Sequence, residues 1–362
     1  MNKYIYNNRI AVKIGSNVLT QKDGTLDLKR MSTLVDQVAE LHKEGLEIIL
    51  ISSGAVAFGR NELKLEKKID DVSARQVFSA VGQTKLMNNY FDLFQKHGIF
   101  CGQVLTTKEN FSSRRHYLNQ KNCISEMLAL KIIPIVNEND TTSVTELMFT
   151  DNDELSGLIA TMMDVQTLII LSNIDGIYNG NPEDSKAEVI RKVASTKNIS
   201  QYIQTGKSSF GRGGMLTKMN IARKVAEEGI AVIIANGKKD NILPNLLKKD
   251  SDVVYTEFVA NSKGASSVKK WIAHSDDFAK GEIHINKGAV EALIGEKANS
   301  LLFVGITKIK GEFEKDDIVK IIDNNGKQLG VGKVQFDSQK ATSLIGAKGH
   351  RPLVHYDYLY LD

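Results

Sequence analysis

Four parts of this 362-residue chain have the residue types and spacing to do chemistry. The first is Lys13, set among Ala11, Val12 and Ile14 just before Gly15-Ser16. An ammonium in an apolar strand either snorkels out from an edge position or is held in place to neutralise something. The second is Lys218, closing the run Phe210-Gly211-Arg212-Gly213-Gly214-Met215-Leu216-Thr217-Lys218 where a helix should begin. Glycines let a backbone approach an anion closely, and first-turn N–H groups with the helix dipole favour negative charge there. Lys218 adds a full positive charge to such a site; the alternative is a flexible surface loop with a chance lysine. The run does not match the Walker A pattern. The third part is Asn137-Glu138-Asn139-Asp140, followed by Thr150-Asp151-Asn152-Asp153. Carboxylates and amides at a strand end and a helix start can bind an ammonium, a metal ion, or a lysine that must be aimed. Asp151 or Asn152 could simply cap the helix, but two such clusters exceed what capping requires. The fourth, Ser52-Ser53-Gly54-Ala55, adds hydroxyls and amides. Cations around a transferring group, with little covalent chemistry, are what phosphoryl transfer needs. The residues alone therefore point to a kinase of a small anion.

Such parts work only if strands stop just before them. Residues 9–14, 46–51, 99–105, 132–136, 167–171 and 230–235 read as short apolar strands. Between them, helical spacing runs over 27–44, 77–94, 114–130, 151–163 and 217–228. This alternation predicts an α/β fold with an open, mainly parallel sheet sandwiched by helices. Ligands of such sheets sit beyond the carboxyl ends of the strands. GS, SSG, NEND and SNIDG all fall at those ends, so they should converge on one crevice. After residue 260 a small polar stretch precedes short apolar runs broken by glycine, the texture of a small β-barrel or sandwich with a short helix at 289–294. The expected organisation is a catalytic domain over 1–260, a linker over 261–279 and a β-rich domain over 280–362. Trp271, the only tryptophan, reads as a packing anchor beside the linker.

Composition narrows the class further. Hydrophobic residues at 42% and charged residues at 25% argue against disorder. No apolar run approaches the ~18–20 residues of a membrane span, and the start MNKYIYNNRI has no secretory core, so no membrane segment and a cytoplasmic location are expected. Cys101 and Cys123 form no metal or redox motif and are expected as small core residues in a reducing compartment. The net charge of +4 hints at nucleic acid, but residues 261–362 hold 15 Lys+Arg against 13 Asp+Glu. No basic stripe concentrates there, so RNA binding is not expected.

The segments VKIGSNVLT, ISSGAVAFGR, IPIVNENDTTS, FTDNDELSG, LIILSNIDGIY and GGMLTKMNIA, in this order and spacing, resemble the amino-acid kinase family. SSGA combined with NEND and DNDELS is similar to its members that phosphorylate glutamate, and the tail from about Lys280 resembles a PUA domain, although it is short after Gly346. The resemblance implies ATP-dependent phosphorylation of the γ-carboxylate of L-glutamate to L-glutamyl 5-phosphate, the first step of proline biosynthesis. Lys13 and Lys218 match the lysines that neutralise the transferring group, and Asp153 the aspartate that orients them. Ser53, Gly54, Asp140 and Asn152 match substrate-binding positions, with Asp140 suited to the ammonium and Asn152 to a carboxylate. Lys13, Gly15, Ser172, Asn173, Arg212, Gly213, Gly214, Met215, Leu216, Thr217 and Lys218 match ATP-binding positions; Asn173 and Arg212 depart from the residues most common there. Mg²⁺ would ride mainly on the nucleotide phosphates, without direct protein ligation. The nucleophile is already an ionised carboxylate, so no strong general base is needed. The family further implies feedback inhibition by proline and a homo-oligomer, dimeric or tetrameric. The competing readings are a family member acting on acetylglutamate or aspartate, or an RNA-binding role through the PUA-like domain.

Overall fold

The run RIAVKI forms β1 (Arg9–Ile14), which in a computed structural model of the chain pairs in parallel on both sides. Its neighbours are β2 (Glu47–Ser52) and β5 (Thr167–Ser172). Strands covered on both faces must be apolar almost throughout, which is why these segments read as continuous runs rather than alternating ones. The structure describes residues 4–6, 8–21, 24–63, 69–112, 114–142, 149, 152–181, 184, 186–194, 214–261, 279–295 and 299–361. These divide into two compact units, one of residues 1–107 and 121–264, the other of 108–120 and 265–362.

In the first unit β2 is followed outward by β4 (Ile133–Glu138) and the edge strand β3 (Cys101–Thr106). Beyond β5 lie β7 (Ala231–Asn236), β8 (Thr256–Val259) and β6 (Lys192–Ala194). The strands from β3 to β7 are parallel; β8 runs antiparallel to β7, with β6 parallel to β8. The chain leaves β1 toward β2 and later returns on its other side at β5, so the order reverses at β1. A crevice opens at such a switch point.

The helices are α1 (Ser16–Leu19), α2 (Leu28–Lys43), α3 (Ala55–Glu62), α4 (Asp71–Gln95), α5 (Lys108–Ser112), α6 (Arg114–Ala129), α7 (Asn152–Met163), α8 (Met215–Glu227) and α9 (Ile242–Leu247). Asp27 caps α2 by accepting the Arg30 N–H at 2.9 Å, and the helix buries Met31, Leu34, Val35, Val38 and Leu41. The helix expected at 77–94 begins earlier, because Asp70 caps it through the Val72 and Ser73 N–H groups. Its first turns carry polar residues that face a cavity, so the apolar spacing starts late. α3 is absent from the sequence expectations, and Gly59 lies within it. Here it is a contact point: a Cβ on Gly59 would lie 1.8 Å from the Phe78 carbonyl oxygen, and one on Gly82 1.8 Å from that of Ala55. The two glycines let α3 and α4 touch backbone to backbone.

The cysteines depart from their expected burial. Cys101 is half-buried because β3 is an edge strand, and Cys123 is exposed. The buried stripe of α6 runs through Tyr117, Ile124 and Leu128, and Cys123 sits one residue, ~100°, off it. Among the described residues no helix is long and apolar enough to cross a membrane.

The second unit holds a five-stranded sheet in the order β10 (Ile306–Lys310), β9 (Gly281–Ile285), β11 (Ile318–Ile322), β12 (Gln328–Val334), β13 (Val354–Leu361). With α10 (Lys287–Ile294) and α11 (Ser338–Ser343) it encloses a core that includes Ile283, Phe303, Val319, Ile321 and Val354. The small β-rich pattern read from the sequence is what forms. The expected linker falls almost entirely outside the described residues, as does Trp271.

Candidate active site

Because β1 has a partner on either side, Lys13 is not an edge-strand lysine; it is only 5% exposed. A buried ammonium needs a counter-charge. That charge is Asp153, fully buried in the first turn of α7, with Oδ1 2.5 Å from Lys13 Nζ. The other carboxylate oxygen, Oδ2, lies 2.8 Å from Nζ of Lys218, in the first turn of α8. Burial alone would push the Asp153 carboxyl up, but the two flanking ammonium groups hold it below the usual carboxylate range. Two cations on one anion leave a surplus positive charge at the carboxyl ends of β1 and β5.

Gly15 keeps that charge accessible. A Cβ there would meet the Leu171 carbonyl oxygen at 3.0 Å and Lys13 Nζ at 3.6 Å. Gly214 precedes α8 without a side-chain cap, the arrangement that leaves first-turn N–H groups for an anion.

Lys13, Asp153 and Lys218 line a cavity of about 830 Å³ with Ser53, Gly54, Asp140 and Asn152. Gly54 adopts φ +118°, which favours glycine, and turns the chain from β2 into α3. Asn152 donates from Nδ2 to Ser53 Oγ at 2.8 Å and to Asn137 Oδ1 at 3.0 Å. Asn137 in turn donates to Gln83 Oε1 at 2.9 Å. Ser53 accepts in this chain, so its hydroxyl proton is directed elsewhere, as a substrate carboxylate would require.

At the end of β4 stand two buried carboxylates, Glu138 and Asp140. Nη2 of Arg75 pairs with both, 2.9 Å from Glu138 Oε2 and in close contact with Asp140 Oδ1. Glu138 Oε1 accepts the Phe149 N–H at 3.0 Å, and Ser79 Oγ donates to Asp140 Oδ2 at 3.3 Å. Burial and the neighbouring Asp140 charge push Glu138 up to about 7, although Arg75 and the Phe149 N–H oppose the rise. Burial also raises Asp140, against the pull of Arg75. When both are ionised, two anions on one cation make this wall of the cavity the complement of the lysine wall.

The nucleotide positions are placed less uniformly. Ser172 lines the cavity at the end of β5, whereas Asn173 is exposed and pairs with Ser172 Oγ at 3.4 Å. Met215, Leu216 and Thr217 form the first turn of α8 with Lys218, the one residue of that turn that lines the cavity. Arg212 and Gly213 lie outside the described residues, as do Thr150 and Asp151. Among the described residues no group of three or more His, Cys, Asp or Glu side chains is gathered for a metal ion.

Arg75, Ser79 and Gln83 were not singled out from the sequence, and all three face the site from α4. Their i, i+4, i+8 spacing was a readable signal: a polar stripe where an apolar one would be expected. Seven residues on, Tyr90 continues it, its hydroxyl 2.7 Å from Ser52 Oγ beneath the SSG turn.

Residues 8–236 match the model of the amino acid kinase family, and residues 281–355 that of the PUA domain. The chain belongs to the amino acid kinase family. The fold is similar to that of an isopentenyl phosphate kinase solved as a substrate complex, with a TM-score of 0.50 and 14% identity over 69% of this chain and 99% of that one. Within the family the chain is similar to glutamate 5-kinases. It is 67% identical to that of Bacteroides thetaiotaomicron over 98% of each chain, and 48% identical to that of Chlorobaculum tepidum over 98% of this chain and 97% of the other.

Proposed function

We propose that the chain transfers the γ-phosphoryl group of ATP to the γ-carboxylate of L-glutamate, giving L-glutamyl 5-phosphate and ADP, the first step of proline biosynthesis. One observation carries this reading: a surplus positive charge at Lys13–Asp153–Lys218 and a surplus negative charge at Arg75–Glu138–Asp140 line the same cavity. An amino acid with a free ammonium and a second carboxylate complements that polarity. Its ammonium suits Asp140 and Glu138, and a carboxylate suits the Ser53 hydroxyl and the Asn152 amide. The γ-carboxylate oxygen forms a bond to the γ-phosphorus as the bond to the β–γ bridging oxygen breaks. The attacking group is ionised at neutral pH, so the work left to the protein is relieving repulsion between two anions. Lys13 and Lys218 do so, each held by the same carboxylate. Mg²⁺ would be held by the nucleotide phosphates rather than by side chains, and would add to the neutralisation of the phosphoryl oxygens.

In this reading residues 1–260 are catalytic, 261–279 a linker and 280–362 a PUA-like domain, and the protein is a cytoplasmic homo-oligomer. Proline shares the substrate's α-carboxylate and amino group, so millimolar proline should inhibit competitively with glutamate; unaffected activity would contradict this. The deciding experiment is ATP consumption with glutamate, acetylglutamate, aspartate and UMP, with hydroxylamine trapping of any acyl phosphate. Trapping with glutamate alone supports the proposal. Turnover of another acceptor in its place overturns it.

A further inference from the structure

The acidic wall of the cavity sets two carboxylates beside one guanidinium, and that balance singles out a residue. Glu138 and Asp140 both reach the same guanidinium nitrogen, so their bound oxygens are no more than roughly 6 Å apart. Arg75 cancels one carboxylate, and the other is the surplus. Asp140 is held by the guanidinium and by Ser79, while Glu138 is held by the guanidinium and by the Phe149 N–H. Both are nearly excluded from solvent, Glu138 at 4% and Asp140 at 6% exposure.

Resting on the glutamate reading above, we propose that Glu138 is a specificity-determining residue whose ionisation supplies the single surplus negative charge that selects a free ammonium, so that substrate binding is coupled to loss of its proton. With Glu138 ionised the cluster carries −1 and favours an ammonium. With Glu138 protonated it is neutral and does not distinguish an ammonium from an N-acylated nitrogen. Among the described residues, the other charged groups lining the cavity are Arg60 of α3, Asp71 of α4, and Lys13, Asp153 and Lys218. Asp153 does not titrate near neutrality, because the flanking ammonium groups hold it below the usual carboxylate range. Glu138, pushed up to about 7 by burial and by the neighbouring Asp140, supplies a transition near neutrality, and burial raises Asp140 as well.

An opposite charge within ~4–6 Å is worth about 1–3 pH units, and coupling between proton and ligand is reciprocal. Glu138→Gln keeps an acceptor for the Phe149 N–H and should raise KM for glutamate by about 10-fold or more, with kcat changed far less. The acid limb of kcat/KM near neutral pH should disappear. Calorimetry of glutamate binding at pH 7 in buffers of different ionisation enthalpy should show proton release from the wild type and none from Glu138→Gln. Arg75→Lys should keep the wild-type limb. Arg75→Met should move it out of the neutral range, because the two carboxylates then share a proton that is lost only at higher pH. A Glu138→Gln protein with the wild-type acid limb, or with equal rises in KM for glutamate and ATP, overturns the inference. Wild-type enzyme that fails to phosphorylate glutamate overturns the underlying function instead.

Discussion

Asp153→Asn removes the anion shared by the buried Lys13 and the half-buried Lys218 while preserving shape. Lys13 and Lys218 each contact a different oxygen of that carboxylate, at 2.5 and 2.8 Å. Without the charge, two ammonium groups roughly 6 Å apart repel by about 3 kcal/mol at an effective dielectric near 20. That lies at the lower end of the ~3–5 kcal/mol cost of breaking a buried ion pair. For a unit of this size it corresponds to a fall in Tm of about 6–12 °C. Mispositioned lysines should also lower kcat by about 10²–10³-fold, the usual loss of one preorganised electrostatic contact. The assay is steady-state turnover with hydroxylamine trapping, alongside thermal unfolding with and without ATP. ATP should raise Tm more in the variant than in the wild type, because its phosphates replace the missing anion. The pH dependence has a definite sign. A carboxyl held below its ordinary value contributes its full stability above about pH 4 and loses it only as pH falls through the lowered native value. The variant should therefore be destabilised throughout the neutral range and converge on the wild type in acid. Turnover within threefold of wild type at an unchanged Tm would refute the positioning role of Asp153.

Two further outcomes follow from the geometry. Lys218→Ala should lower kcat strongly and spare KM for glutamate, since the role proposed for Lys218 is to neutralise the transferring phosphoryl group; unchanged kcat would remove it from that role. Gly82→Ala places a Cβ 1.8 Å from the Ala55 carbonyl oxygen, forcing α3 from α4. It should cost about 1–3 kcal/mol, a fall in Tm of about 2–12 °C, and raise KM for glutamate because Gly54 begins the displaced helix.

The carboxyl ends of β1, β2, β4 and β5 were legible in the sequence because each apolar run stops abruptly at a polar turn. That pattern also located Lys13, Ser53, Asp140 and Ser172. The central position of β1 was not legible, since neighbours in a parallel sheet are set by crossover helices and not by the strand's own residues. Lys13 therefore read equally well as an edge residue. Arg75 stayed hidden for a similar reason: its partners lie 63 and 65 positions away, and an arginine near a helix start normally faces water. Cys123 looked like core because small thiols usually are, and the phase of α6 placed it outside.

The polar stripe of α4 has a consequence for how this site can change. Arg75, Ser79 and Gln83 reach Glu138, Asp140 and Asn137, and Tyr90 reaches Ser52. The contacts all lie on one side of a single continuous helix. Replacing one of these residues removes one contact. Inserting one residue between Asp71 and Arg75 would turn the helix by ~100° between its anchored start and every contact beyond. The acidic wall and the turn at Ser52 are thus held in common by helical phase, and a chain that alters α4 in length must rebuild both together.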